Sequence, residues 1–271
     1  MISKGMEIAS KGMNALIDFN DTIANNIANV NTSGFKRAGL TFKNIYDSAV
    51  EKVNLTENPK YAEHKHLGYI SMGSKVNTLT NEFSQGALNR TGNPLDIAIE
   101  GDGFFKTMSP DGKITYTRNG SFNINNKDML VDEEGNYVLD VLNKPIKIDL
   151  KQGNLHTRGD IIVGEDGQIE LNMDNTRLQL QKLAIVDFQN KEDLKSVGHS
   201  RYAPSDVGVN PELKSEKFTI QQGAIEASNS NIIREMVNMI NVSRNYESLS
   251  KFMKTESDNL SRVINLARVN L

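Results

Sequence analysis

The sequence predicts an α+β fold in which long N- and C-terminal helices pair as a coiled-coil-like layer and the centre of the chain forms an antiparallel all-β domain. Near both ends, apolar residues recur at alternating steps of three and four, which is the spacing of a coiled-coil seam. Between the ends, apolar and polar residues alternate. Turn-forming residues interrupt these runs about every dozen positions, as in antiparallel sheets.

The first helix is predicted from Ile2 to Val30. Its seam has one polar member, Asn20, and a buried asparagine in such a seam can fix the packing register at a cost in stability. The helix is expected to end within 29–34, where Gly34 is expected to take a positive φ. The predicted seam consists of Ile2, Met6, Ala9, Met13, Leu16, Asn20, Ile23, Ile27 and Val30.

The last helix is predicted from about Ser230 to Ala267. Polar side chains at 228–230 can accept hydrogen bonds from its first backbone N–H groups. One seam member, Glu256, is charged. The predicted seam consists of Met239, Val242, Tyr246, Leu249, Met253, Glu256, Leu260, Val263 and Ala267.

The central region has the period of two that is typical of half-buried strands. Gly101 and Gly103 are expected to form a turn between two of them. The side chains expected in the core are Leu95, Ile97, Ile99, Phe104 and Phe105. The chain is thereby divided into an N-terminal assembly helix (1–34), an extended arm or linker (35–90), a β-rich domain (91–218), and a return segment with a C-terminal assembly helix (219–271).

The two seams predict assembly, because burying one Leu, Ile or Met side chain contributes about 1.5–3 kcal/mol. Each seam therefore has roughly 10–20 kcal/mol that depends on a packing partner. Further apolar residues off the seams, such as Ile17 and Ile240, indicate neighbours on more than one side. The alternative is an ordinary globular α+β protein whose terminal helices pack onto its own sheet.

The amino-acid composition limits the classes of partner and ligand that the chain is expected to bind. The net charge of −3 does not indicate nucleic acid, and the absence of cysteine excludes disulfides and thiolate metal sites. No apolar run is long enough to predict stable membrane insertion. Polar residues interrupt the first turns, so no cleavable signal peptide is predicted.

No catalytic, cofactor or metal site is predicted. Gly101-Asp102-Gly103 lacks the third glycine of a dinucleotide fingerprint, and His64 and His66 have no third ligand nearby. No pair of carboxylates is singled out for glycan cleavage. The competing hypotheses are a β-rich surface or binding protein with helical oligomerisation ends and, third, a hydrolase without a recognisable motif.

Five motifs in order carry a resemblance over nearly the whole chain. They are Asn25–Arg37 (NNIANVNTSGFKR), Phe83–Gly86 with Leu95–Phe105 (FSQG and LDIAIEGDGFF), Tyr116–Phe122 (YTRNGSF), Gln222–Asn229 (QGAIEASN), and Glu235–Ile240 with Arg244–Glu247 (EMVNMI and RNYE). The sequence resembles the bacterial flagellar basal-body rod and hook protein family, and its length is similar to that of the rod proteins. The distal-rod group is favoured, with the proximal rod as the alternative.

The resemblance implies a specific architecture. Rod proteins pair their terminal helices in the inner layer of a hollow tube, with a β-rich domain outside. Such a rod spans the periplasm, transmits torque to hook and filament, and contacts other rod, hook and ring proteins. Its subunits leave the cell through the flagellar type III export apparatus. The residues expected at assembly contacts are the two seams together with Asn25, Asn26, Asn29, Asn31 and Gly34.

Overall fold

The computed structural model describes residues 2–54, 63–148, 161–173, 176–205, 210–215 and 217–269, without the side chains of 2–4, 42–77, 173, 176 and 267–269. The side chains of Ile2 and Ala267, two predicted seam members, therefore lie outside the described residues. The chain divides into two compact units. The first contains Met1–Asn25, Gly39–Leu79 and Ile233–Leu271, and the second contains Asn26–Ala38 and Thr80–Ile232.

In the described residues, the elements run from a first helix through eighteen strands, with a short 3₁₀ helix at Lys191–Asp193, to a last helix. They are α1 (Ile2–Ala28), β1 (Ala38–Asn54), β2 (Glu63–Asn81), β3 (Leu88–Arg90), β4 (Ile97–Gly101), β5 (Phe104–Met108), β6 (Ile114–Thr117), β7 (Asn123–Ile124), β8 (Leu130–Val131), β9 (Tyr137–Val138), β10 (Ile161–Val163), β11 (Gln168–Met173), β12 (Thr176–Lys182), β13 (Ile185–Phe188), β14 (Leu194–Gly198), β15 (Arg201–Pro204), β16 (Glu212–Lys214), β17 (Phe218–Gln222), β18 (Ala224–Glu226) and α2 (Ile232–Val269).

The first unit contains the two predicted helices, and they pair as predicted. A Cβ atom at Gly12 would lie 3.3 Å from Leu249 Cδ1, and one at Gly5 would lie 3.8 Å from Phe252 Cζ. Positions that advance along α1 thus meet positions that recede along α2, so the pair is antiparallel. The same unit holds most of β1 and β2, which form a two-stranded sheet within the predicted arm.

The exit from α1 follows the predicted turn. The helix ends at Ala28, and the backbone then turns through hydrogen bonds from Val30 N to Ile27 O and from Thr32 N to Asn29 O. Gly34 has a φ of +66°, which confirms the predicted left-handed conformation. Asparagine is a weak helix former and favours such ends.

The second unit contains the predicted antiparallel β domain. Its largest sheet has the order β14-β15-β6-β5-β9-β8-β7, with β13 pairing both β5 and β16. A three-stranded sheet joins β10, β11 and β12. The return segment adds two strands: β17 pairs with β4 and β18 pairs with β3, both antiparallel. The C-terminal part of the chain is therefore hydrogen-bonded to the start of the β domain before it enters α2.

The predicted core residues are buried. Leu95, Ile97, Ile99 and Phe105 belong to the main apolar cluster, and Phe104 belongs to a second, aromatic cluster with Tyr116, Phe188, Leu194 and Tyr202. Rings in the second cluster meet edge to face, a favourable arrangement for aromatic pairs. The predicted turn between strands also forms, since Gly101 and Gly103 both have positive φ.

Candidate functional site

The helix pair of the first unit encloses a groove of about 330 Å³. The predicted polar seam member Asn20 lies in its wall, so this position is in the helix–helix contact region. The groove is lined by Leu16, Ile17, Asn20, Val242, Ser243, Tyr246 and Glu247. It is a mixed apolar and polar surface, open at the side of the pair, that a further side chain can enter.

The predicted residues of α1 and its exit differ in burial. Ala9, Ile23, Asn26 and Gly34 are buried, and Asn25 and Asn31 are exposed. The half-buried members are Met6, Met13, Leu16, Asn20, Ile27, Asn29 and Val30. The sequence interpretation missed Gly5 and Gly12, whose spacing of seven residues places both against α2.

On α2 the predicted seam follows one side of the helix. Val242 is buried, and Met239, Leu249, Met253 and Glu256 are half-buried. Tyr246, Leu260 and Val263 are exposed. Many apolar side chains off the seam are also exposed, namely Ile232, Ile233, Met236, Val237, Ile240, Phe252, Ile264 and Leu266. Exposed apolar side chains grouped on one element are typical of interaction surfaces.

A second site lies inside the second unit, where segments from four parts of the chain converge. We call it the motif junction and define it as residues 34–38, 82–86, 118–120 and 226–229, together with Asn26. At its centre, Glu226 is fully buried and Lys36 is 1% exposed. Lys36 Nζ donates to Glu226 Oε1 at 2.5 Å and to Ser84 O at 2.7 Å.

Arg118 completes a buried ionic cluster. Its Nη1 lies 3.4 Å from Glu226 Oε2, and its Nη2 donates to Gly101 O at 2.9 Å. Burial lowers the pKa of Lys36 and of Arg118, and in both the Glu226 carboxylate opposes that shift. Removing one partner from such a cluster leaves an uncompensated buried charge, which costs about 3–5 kcal/mol.

Two glycines allow the backbones to meet at the motif junction. A Cβ atom at Gly34 would lie 2.5 Å from Arg118 C and 2.7 Å from Asn119 Cα. One at Gly86 would lie 3.0 Å from Ala227 C and would overlap the carbonyl oxygen of the same residue. Real Cβ atoms do not tolerate such distances, so side chains are excluded at both positions.

Two asparagine side chains join backbone segments at the motif junction. Asn26 Nδ2 donates to Ala38 O and Asn26 Oδ1 accepts from Ala38 N, both at 2.9 Å. Asn229 Oδ1 accepts from Arg37 N at 2.7 Å, and its Nδ2 donates to Glu82 O at 2.7 Å. Asn26, one of the residues expected at assembly contacts, thus bonds a backbone segment of its own chain.

The family motifs contain Lys36, Arg118, Glu226 and Asn229, but no role for these four side chains was predicted from the sequence. One signal was available: charges of opposite sign occur inside motifs otherwise rich in apolar and small residues. Within the described residues, no group of three or more His, Cys, Asp or Glu side chains is arranged to hold a metal ion. Neither helix in the described ranges has the length and apolarity needed to cross a membrane.

Comparison with known proteins matches three stretches of the chain to families of flagellar proteins. Residues 6–36 match the family of flagella basal body rod proteins, 98–171 match the D1 domain of flagellar hook protein FlgE/F/G, and 221–266 match the C-terminal region of flagellar basal body rod FlgEFG proteins. Lys36, Arg118 and Glu226 each lie in a different one of these matched regions.

Curated relatives match over nearly their full length. The flagellar basal-body rod protein FlgG of Borreliella burgdorferi is 33% identical, with 96% of this chain and 97% of the relative covered. FlgG of Buchnera aphidicola subsp. Baizongia pistaciae is 33% identical over 94% of this chain and 96% of the relative. The chain belongs to the flagellar basal-body rod protein family. FlgF of Rhizobium meliloti is 32% identical, with 96% of each chain covered.

Membership in this family confirms the resemblance seen in the sequence. The protein is a structural subunit of the flagellar basal-body rod, and the matches to FlgG fit the predicted preference for the distal rod. A surface or binding protein with helical oligomerisation ends, the competing hypothesis, is not supported by these relatives. A family of structural rod proteins favours a structural rather than a catalytic role.

Proposed function

We propose that the chain polymerises with copies of itself into the hollow, periplasm-spanning distal rod and that its helix pair forms the contacts between copies. The observation that carries this proposal is the apolar surface of α2. Eight large apolar side chains off the α2 seam are at least 40% exposed, and Ile233 reaches 71%. A rod subunit gains the hydrophobic free energy of these side chains only when a neighbour covers them.

The groove between α1 and α2 supplies the complementary feature. Leu16, Ile17, Val242 and Tyr246 give it apolar walls, and Asn20 adds a polar group that can select one register of a neighbouring helix. In this proposal, exposed side chains of α2 on one copy enter the groove of the next. A contact between two different surfaces of identical copies generates rings or open helical filaments.

The same proposal extends to partners and localisation. The subunit is exported by the flagellar type III apparatus and resides in the basal body, next to other rod, hook and ring proteins. Family membership supports this, and so do the exposed apolar side chains of the helix pair, which in this proposal are covered only on assembly. The subunit acts without a cofactor and without catalysis.

Substituting the apolar surface of α2 tests the proposal. Ile233→Asp/Ile240→Asp should leave the β domain folded but prevent rod assembly and swimming in cells that lack their own copy of this protein. The two positions are 71% and 52% exposed, so no core packing is lost within the chain. The readouts are circular dichroism of the purified chain, electron microscopy of basal bodies and swimming speed.

The matched control is Val141→Asp/Leu142→Asp, which places two charges at positions of similar exposure in the β domain. These cells should build rods and swim. Normal rods and normal swimming with Ile233→Asp/Ile240→Asp would contradict the role of α2 in assembly.

A further inference from the structure

The chain passes between its two units at four points, which we call crossings. The motif junction lies beside these crossings, which suggests a role for it in addition to stabilising the fold. The crossings lie after Asn25, Ala38, Leu79 and Ile232. At each crossing, the residues on the side of the second unit are hydrogen-bonded to those of another crossing. We call these hydrogen bonds the ties, and they lie wholly within the second unit.

The first tie joins the first and second crossings. Asn26, the first residue of the second unit, exchanges two hydrogen bonds of 2.9 Å with the backbone of Ala38, the last residue before the second crossing. Because Asn26 is 1% exposed, water does not compete for these bonds.

The second tie joins the second, third and fourth crossings. Glu82 N, just after the third crossing, donates to Arg37 O at 2.8 Å. Asn229, just before the fourth, accepts from Arg37 N and donates to Glu82 O, both at 2.7 Å. One amide side chain thus bonds two of the other crossings at once.

Glu226 anchors this set of ties to the β domain. Its backbone oxygen accepts from Gly34 N at 2.8 Å, and its carboxylate accepts from Gly86 N at 2.8 Å and from Lys36. The same carboxylate pairs with Arg118, next to β6. One buried side chain therefore contacts segments beside the second and third crossings and the body of the sheet.

We propose that the motif junction is a mechanical joint that holds the four crossings together as one element, so that load on the helix segments is shared by all four when it reaches the β domain. The proposal rests on the proposed rod function, in which the subunit transmits torque. The main apolar core of the β domain does not include the junction residues. A buried ionic cluster is weak support for stability alone, which favours a specific role for this one.

Amide hydrogen exchange on the full-length chain tests the joint directly. Glu226→Gln and Asn229→Ala should each speed exchange at the tied amides of Gly34, Arg37 and Glu82 by about tenfold or more. Each variant lacks bonds that local opening must break in the wild type, so opening costs less free energy. The amide of Lys106 in β5, which donates to Ala184 O away from the crossings, should keep its wild-type rate. The control is Glu212→Gln, which removes a half-buried carboxylate, the ion-pair partner of Lys106, away from the crossings. It should leave the tied amides unchanged.

Motility under load supplies the second readout. Cells carrying Asn229→Ala should build rods and filaments, yet their swimming speed should fall more steeply with medium viscosity than that of cells carrying wild type or Glu212→Gln. Wild-type exchange at the tied amides in both junction variants, or wild-type swimming at every viscosity despite faster exchange, would overturn the joint. If Glu226→Gln does not fold, Asn229→Ala alone decides.

Failure of the rod function is seen separately. If the wild-type chain does not restore swimming to cells lacking their own rod protein, the proposed function is wrong, whatever the exchange rates are. If it does restore swimming and the junction variants match it under load, the rod function stands and the joint is wrong.

Discussion

Single residues at the motif junction are both buried and bonded to several distant segments of the chain. Glu226 is completely buried and is satisfied by two cationic side chains and a backbone N–H. Tyr202 accepts a hydrogen bond from Lys36 N at 3.2 Å, so the cluster continues into the aromatic core. Gly34 combines a positive φ with contact to the backbone of Arg118 and Asn119, two reasons for excluding any side chain.

A glycine comparison separates these two reasons. Gly34→Ala should lower the free energy of unfolding by about 2–4 kcal/mol, because left-handed strain adds to a steric overlap. Gly92→Ala should cost only about 1 kcal/mol, because Gly92 has a φ of +76° but nothing within 4 Å of its Cβ position. Urea unfolding of both variants gives the comparison, and equal losses would show that close packing at Gly34 contributes nothing.

At the scale of elements, the pairing of α1 with α2 depends on small residues as well as on apolar seams. The α2 seam positions range from the buried Val242 to the exposed Val263, and the glycines show where the two helices approach most closely. Asn20 and Glu256 interrupt the seams at half-buried positions, where a polar side chain limits the alternative packing registers.

The two helical glycines should respond in opposite ways to substitution. Gly5→Ala should stabilise the helix pair by about 0.5–1 kcal/mol, because alanine is the better helix former and its Cβ at 3.8 Å makes an ordinary contact. Gly12→Ile should destabilise the pair by about 1–3 kcal/mol, because the Cβ position already lies 3.3 Å from Leu249 Cδ1. Thermal unfolding followed at 222 nm measures both, and stabilisation by Gly12→Ile would contradict the close approach.

At the scale of the whole molecule, two buried tyrosines connect folding to alkaline pH. Burial raises the pKa of Tyr202, and burial together with its hydrogen bond to Glu212 raises the pKa of Tyr116. Above pH 10.5 the unfolded chain has lost most of these protons while the native chain keeps them. The native state then binds more protons, so the free energy of unfolding falls as pH rises.

The expected slope is about 1.4 kcal/mol per pH unit for each tyrosine, measured by urea unfolding between pH 10.5 and about 12. Tyr202→Phe and Tyr116→Phe should each remove one tyrosine's share. Lys36 has a lowered pKa and acts with the opposite sign, but only below its ordinary value of 10.5. A slope unchanged in the double variant would show that other groups cause the alkaline loss.

Patterns within short stretches of sequence were enough to predict much of the fold. The helical seams, the alternating strands, the turn at Gly101 and Gly103 and the core position of Phe105 each depend on neighbours a few residues away. The ordered motifs were enough to identify the family. The motif junction could not be predicted, because Lys36 and Glu226 are 190 positions apart and Arg118 and Glu226 are 108 apart.

The sequence by itself determined the fold class, the two helices, the β domain and the rod family. Periodicity and motif order can be recognised from the order of residues alone, without knowledge of their contacts. Only the tertiary structure decided which motif residues meet. A charged side chain in a motif can face water or a buried partner, and the difference depends on burial and on contacts between distant segments. Asn26 shows the difference, because only the tertiary structure reveals its bonds to Ala38 of its own chain, while its predicted role in assembly stays a prediction.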